Sequence, residues 1–514
     1  MSSSKHPHHD DDPATDSEPE MLGEDEAQEV IDGDEQGGDV AMDSDDEGQE
    51  GDQMMDGEED EHITLENDSI AYMDAHKDSV FAIAQHPLYP HIVASGGSEG
   101  DADDAPGKGY VIDTSAAVSR PKPVLPPSYN ADSSAAQQPL QTTDLAPIFS
   151  IDGHTDSINA LAFTQPRGEY LVSGGMDGRL RVYSVSVSPS APINIQFVAE
   201  SQETEEVTWI APCPSSSFAA NTIAFGASDG SVWVLTVDAS DAGNPIQIVQ
   251  SYFLHTGACT AGAWSADGQL LATVSDDSSL HVFDVWGSAA AKSLVTENGQ
   301  TVVSLTESDQ RFAVEGGFFS VAIAPSGTFL AAGGTGGAIR IVSLPRLSGG
   351  TAAQRGAAPE TKAGTILAGL NTQSDSIESL SFSPAPRTLL AAGSVDGSIA
   401  IFDTARSFAM RRIIRNAHDG EPVVKVEFVR AAQPALTAGW LLTSCGLDGV
   451  VRRWDLRGAT ASSTSETTPG LVKEWRGHRG GSGEGGGILG FVQGETGERV
   501  VTAGDDSLVL VFEA

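Results

Sequence analysis

Basic residues are scarce in this chain: 28 Lys and Arg stand against 73 Asp and Glu, for a formal net charge of −45. A field of that sign repels nucleic acid phosphates and anionic lipid and attracts basic proteins, so direct nucleic-acid or membrane binding is not expected. Cysteine is equally sparse. Cys213, Cys259 and Cys445 are an odd number without close spacing, which fits neither a disulfide framework nor a zinc site. Each lies in or beside an apolar, strand-like run, and we expect buried thiols. No apolar run approaches the ~18 residues of a membrane-spanning helix, and the polar N-terminus reads as carrying no signal peptide. Cytoplasm, with the nucleus as a second compartment, is the expectation. Helical periodicity is also missing.

The acids that are present are unevenly placed. Residues 1–61 hold 25 of them against one base, Lys5. With almost no aromatics, that segment cannot bury enough apolar surface to offset its ordering entropy, and residues 1–62 read as a disordered acidic tail. From residue 63 to the end, short apolar runs alternate with Gly, Asp and Ser.

The punctuation repeats. Five segments place a turn Asp before an alternating strand with an aromatic close: Asp177 to Tyr183, Asp277 to Phe283, Asp396 to Phe402, Asp448 to Trp454 and Asp506 to Phe512. Asp229 to Leu235 closes on an aliphatic residue, Gly336 to Val342 lacks the Asp, and Tyr110–Asp113 follows an insertion near 98–108. Upstream of each runs a strand ending in small residues, such as LVSGG at 171–175, and before it a further strand, such as INALAF at 158–163. Eight sets of three strands, each preceded by a fourth, predict an all-β, single eight-bladed β-propeller over residues 63–514. Ile70 to Met73 is the expected closing strand, beside the strand ending at Phe512.

These repeats resemble the WD-repeat family, which carries Gly-His before the first strand and Trp-Asp at the end of the third. Here the matching residues are Gly153-His154, Gly477-His478 and Trp454-Asp455, with partial echoes at His76, His255, His418, Phe283-Asp284 and Phe402-Asp403. The resemblance implies a hydrogen-bonded tetrad of His154, Ser173, Asp177 and Tyr183, and an approximate one of His255, Ser275, Asp277 and Phe283. Blades 3, 5 and 6 lack the His.

No catalytic constellation stands out, and neither an enzyme nor a cofactor is expected. The His–Asp pairs recur with the repeat and have no nucleophile partner. The glycine-rich run at 480–487 has no Lys-Ser/Thr and precedes a strand, so it reads as a loop and not a phosphate cradle. His6, His8 and His9 beside Asp10 read as a solvated tail rather than a metal site.

In a propeller, the loops entering first strands and those joining second to third strands share one face. Here those loops carry Asp74, Asp78, Asp152, Asp156, Glu203, Glu205, Glu206, Asp276, Glu315, Asp375, Glu378, Asp419, Glu421, Glu484 and Asp505, against Lys77, Lys108 and Arg479. The candidate partner-binding set is Asp78, Asp156, Glu205, Glu206, Asp276, Glu315, Asp375, Glu378, Glu421 and Asp505. A basic peptide across that mouth is the expected ligand.

The layout is similar to one eukaryotic WD subgroup, through HKDSVFAIAQHP (76–87), GHTDSINALAF (153–163), SIESLSF (376–382), LLAAGSVDGSIAIFD (389–403) and LLTSCGLDGVVRRWD (441–455). That subgroup includes the angio-associated migratory cell protein and the fungal assembly chaperone of a late-joining large-subunit ribosomal protein. The resemblance implies a monomeric chaperone that binds the basic N-terminal segment of a ribosomal protein and escorts it to the pre-60S particle. A histone-binding propeller and a ubiquitin-ligase scaffold are the alternatives.

Overall fold

The structure is a computed structural model that describes residues 67–514, apart from 101, 103–104, 120–141, 189–190, 215–219, 348–361, 432–438, 458–469 and 480–485. The acidic tail expected at 1–62, with its histidines, lies outside the described residues, as does Glu484.

Among the described residues the only helical elements are four three-residue 3₁₀ turns. Seven sheets have four strands and one has five, which makes eight blades. Small and β-branched residues suit the second strands, such as Leu270–Ser275 and Leu389–Ser394, because both of their faces are covered by neighbouring blades. The core is accordingly divided among the spaces between blades. In one of these, Val172, Leu180 and Val182 of blade 2 meet Val207, Ile223 and Phe225 of blade 3.

Each repeat as read in the sequence is offset from the blade it helps to build. The strand Ile246–Tyr252 precedes the first strand of blade 4 in the chain, yet it pairs with Val232–Val237 as the outer strand of blade 3. The offset leaves the last blade short of an outer strand, and Ala71–Met73 supplies it, antiparallel, with Ala71 opposite Val511. Closure is therefore as the sequence predicts. A fifth strand, Thr143–Asp144, adds in parallel beyond it; at two residues it is too short to carry a pattern.

The histidine networks fix the turn between second and third strands. His154 bonds Asp177 through Nδ1 at 3.1 Å and Ser173 through Nε2 at 2.8 Å. Tyr183 joins from the side, its hydroxyl accepting from Arg181 Nε at 3.2 Å. Blade 7 is the most complete: His418 holds Asp448 at 2.9 Å and Ser444 at 2.8 Å, and the Trp454 indole donates to Ser444 at 2.8 Å. Blade 8 joins His478 to Asp506 and Thr502.

Blade 4 departs from the expected set. His255 Nε2 meets Thr273 at 2.7 Å, not Ser275, whose hydroxyl instead accepts from the Asp277 amide. Thr273 lies four residues before Asp277, the same interval as Ser173 to Asp177 and Ser444 to Asp448, and that distance along the strand sets it level with the histidine. Asp277 reaches the ring only through Ser279. In blade 6, buried Gln373 replaces the histidine and bonds Ser398.

Removing His418 opens a cavity in the blade and takes one partner from each of Asp448 and Ser444, which keep Arg452 and Trp454. We expect His418→Ala to cost on the order of 3 kcal/mol, and His76→Ala, whose Nδ1 has no partner, on the order of 1 kcal/mol. Urea unfolding checks this; equal losses would mean that the aspartate adds nothing.

Burial makes four histidines poor bases. It pulls His76, His86 and His281 down to about 4 and His255 to about 3, where the neighbouring His281 adds to the effect. Their neutral forms are thus favoured in the fold. The stability they confer is complete above the unfolded value near 6.5 and falls as pH drops toward 4, by up to about 1.4 kcal/mol per pH unit for each. Urea midpoints from pH 7 to 5 should decline, and His281→Gln should lessen the slope.

Candidate functional site

One rim of the ring can be traced loop by loop. The end of each second strand bonds the entrance of its own first strand: Met176 N to Ser157 O at 2.9 Å, Asp276 N to Ala258 O at 3.3 Å, Val395 N to Ser376 O at 3.0 Å, Asp505 N to Gly487 O at 3.0 Å. Each of these ends also packs on the next blade's entrance loop. Gly178 lies against Thr204 and Glu205, Asp276 against Gly317, Gly337 against Gln373, and Gly397 against Gly420. Ser79 Oγ of blade 1 meets the Asp505 carbonyl of blade 8 at 3.4 Å, which closes the circuit. Nine of the ten candidate acids therefore stand on one continuous ring of loops, and Glu378 stands on the strand that one of those loops enters.

Their settings differ. Asp78, Asp156 and Asp375 each accept the amide of the following serine at 2.6–2.7 Å, which fixes the carboxylate at the strand entrance. The half-buried Asp505 accepts the Gly486 amide and is partly structural. Glu205, Asp276, Glu315 and Glu421 are exposed, whereas Glu206 is half-buried. Glu378 lies on the inner strand Ile377–Phe382, open to water yet crowded by the wall. Burial first, and then the Asp375 charge, raise its pKa.

The turn aspartates serve a different purpose. Burial alone would raise Asp177, but His154 and the Thr155 and Arg179 amides hold it below the usual carboxylate range. It is committed to the fold rather than to a ligand.

The rim holds two further bases that the sequence reading passed over, Arg311 and Arg415, in the loops that enter blades 5 and 7. Arg311 is bound by Asp309 at 2.7 Å, Lys77 by Glu99 and Lys108 by Asp152, so three of the rim's bases are already neutralised. Apolar groups stand among the acids and were also missed: Phe81 and Met176, each more than two-fifths exposed, and Phe253, 65% exposed. The opposite rim mixes signs, with Arg167, Lys292, Arg387, Arg406, Arg430 and Arg457 among its acids. All three cysteines are buried, and none of them forms a disulfide. Burial pushes the Cys259 and Cys445 thiols up to about 12, so neither is a nucleophile at neutral pH.

Comparison with known proteins agrees with this architecture. The WD domain, G-beta repeat family matches residues 145–184, 246–284 and 364–403. The crystal structure of Chaetomium thermophilum Sqt1 is 66% identical, covering 87% of this chain and 98% of that one, with a TM-score of 0.76. This chain belongs to the Sqt1 family. A second Sqt1 structure from the same fungus, 65% identical over 87% of this chain and all of the other, with a TM-score of 0.76, is bound to the N-terminus of the ribosomal protein L10. The Saccharomyces cerevisiae ribosome assembly protein SQT1 is 25% identical over 71% of this chain and 73% of its own length. Sqt1 membership accounts for the eight-bladed count and for the subgroup likeness seen in the sequence.

Proposed function

We propose that the acidic rim captures the basic N-terminal segment of a large-subunit ribosomal protein, the counterpart of L10, and chaperones it toward the assembling 60S particle. The observation that carries this reading is the closed ring of carboxylates, taken with the L10 N-terminus bound by a relative of 65% identity. A nascent ribosomal protein is rich in cations that would otherwise seize RNA, and a rim of like charges masks them while leaving the client's folded part outside. The candidate set Asp78, Asp156, Glu205, Glu206, Asp276, Glu315, Asp375, Glu378, Glu421 and Asp505 divides by setting. Exposed Glu205, Asp276, Glu315, Asp375, Glu378 and Glu421 contact the client; Asp78, Asp156 and Asp505 shape the loops, and half-buried Glu206 adds its charge from behind Glu205. The role is non-enzymatic binding in the cytoplasm.

Co-purification from lysate at low salt tests the reading, with a large-subunit ribosomal protein expected in the eluate. Histones in its place would overturn it. Exposed charges are screened beyond about 10 Å at 0.1 M salt, so affinity for the client's N-terminal peptide should fall steeply between about 50 and 300 mM. Calorimetry across that range measures it, and Phe81, Met176 and Phe253 should leave a salt-resistant remainder. A flat response would assign the affinity to apolar contact alone.

A further inference from the structure

On the rim opposite the acids, blades 6 and 7 set two arginines against one indole, with a third arginine next to them in the outer strand. Arg387 leaves the loop between the first and second strands of blade 6, and Trp440 the equivalent loop of blade 7. Arg411 and Arg412 come from the outer strand Ala409–Ile414 of blade 6, at the bulge between Ile401 and Phe402 of its partner strand. The Arg387 and Arg411 guanidinium carbons each lie 4.8 Å from the Trp440 ring centroid. Local sequence makes the room. A Cβ at Gly439, φ +69°, would strike Arg387 Cγ at 2.9 Å, and one at Gly470, φ +83°, would strike Arg412 Nη1 at 2.5 Å.

The arginines are held but not neutralised. Arg387 Nε, Arg411 Nε and Arg412 Nη1 are enclosed without a hydrogen-bond partner. The neighbouring acids are engaged elsewhere, Asp403 by Thr388 and Arg406, and Asp455 by Arg457 at 2.9–3.0 Å. Asp455 acts on Arg412 only through its field, while burial lowers the Arg412 pKa. In a chain of net charge −45, three guanidiniums that pair with no carboxylate among the described residues are an exception that calls for a counter-charge. Stacking on the indole already fixes two of them, so binding would cost little further side-chain entropy.

We propose that this arginine–tryptophan cluster is a second docking site, for an acidic segment of a partner polypeptide, on the side of the ring away from the client. Guanidinium forks match carboxylates in geometry and charge. Exposed apolar side chains flank them on the two outer strands: Met410, next to Arg411 and 52% exposed, and Val472, two residues beyond Gly470 and 58% exposed. That mixture suits a peptide with acidic and apolar residues better than a bare phosphate backbone. A polyphosphate would also meet the repulsion of the whole acidic chain along its length, whereas one or two carboxylates need only the local site.

The test uses the full chain and a fluorescein-labelled Asp-Glu-Leu repeat peptide, followed by anisotropy at about 50 mM salt. Binding is expected, weakened about tenfold or more in Arg387→Gln/Arg411→Gln and less in Arg411→Lys, which keeps the charge and loses the planar fork. Affinity for the basic client peptide should be unchanged in both variants, which certifies their folding and keeps the two rims distinct. Tighter binding of an oligouridylate of similar length, displacing the peptide, would overturn the proposal in favour of a phosphate site. No peptide binding by the wild type, or equal binding by the double glutamine variant, would reduce the stack to packing.

Discussion

Replacing Asp276, Glu315 and Glu378 together with lysine is expected to weaken capture of the basic client peptide by about 100-fold at low salt. An exposed ion pair contributes about 0.2–1 kcal/mol, and reversal turns each attraction into a repulsion, so three reversals reach about 3 kcal/mol. The three side chains occupy one arc of the rim, from the second-to-third-strand loop of blade 4, through the entrance of blade 5, to the inner strand of blade 6. Asp276 packs directly on Gly317 of the blade 5 entrance, two residues beyond Glu315. None of the three holds a backbone amide in a short hydrogen bond, unlike Asp505 or Asp78. Thermal stability should therefore stay within the ~0.5 kcal/mol usual for surface substitutions. Calorimetry and a thermal melt on the same sample decide the matter. Wild-type affinity in the triple variant would remove the rim as the binding surface.

Deleting residues 67–75 should abolish cooperative folding. The segment is short, but Ile70, Ala71 and Met73 are each no more than 2% exposed and pack against Val80, Val93, Ile112, Val501 and Val511, from blades 1 and 8. Burying Ile70 and Met73 contributes about 1.5–3 kcal/mol each, and the backbone bonds from Ile70 to Val511 and from Asp68 to Arg476 are lost with them. A domain's whole stability is only about 5–15 kcal/mol, and the deletion also leaves Val509–Glu513 as an open edge. Thermal unfolding followed by circular dichroism should show no cooperative transition. A melt like that of the full chain would mean that Thr143–Asp144 or another segment can close the ring.

Most of the strand arithmetic was legible because a strand writes its own burial into alternation, and eight repetitions average out local noise. The closing strand was legible for a related reason: Ile70 to Met73 is an apolar run without a partner in its own repeat. The tetrad of blade 4 was misread, since Thr273 and Ser275 are both hydroxyl residues on the same strand face. Only the fixed interval to Asp277 separates them. The added strand at Thr143–Asp144 and the Arg387–Trp440–Arg411 stack were out of reach, because each unites residues with no shared local pattern.

The order of charge in the chain, the count of blades and the loops that carry the acids were all set by the linear sequence, since hydropathy period and turn chemistry act within a few residues. Which of those acids are open to a ligand, and which are spent on amides and histidines, was decided only when the ring closed. The exposure and partners of a carboxylate depend on what the neighbouring blade places against it, tens of residues away.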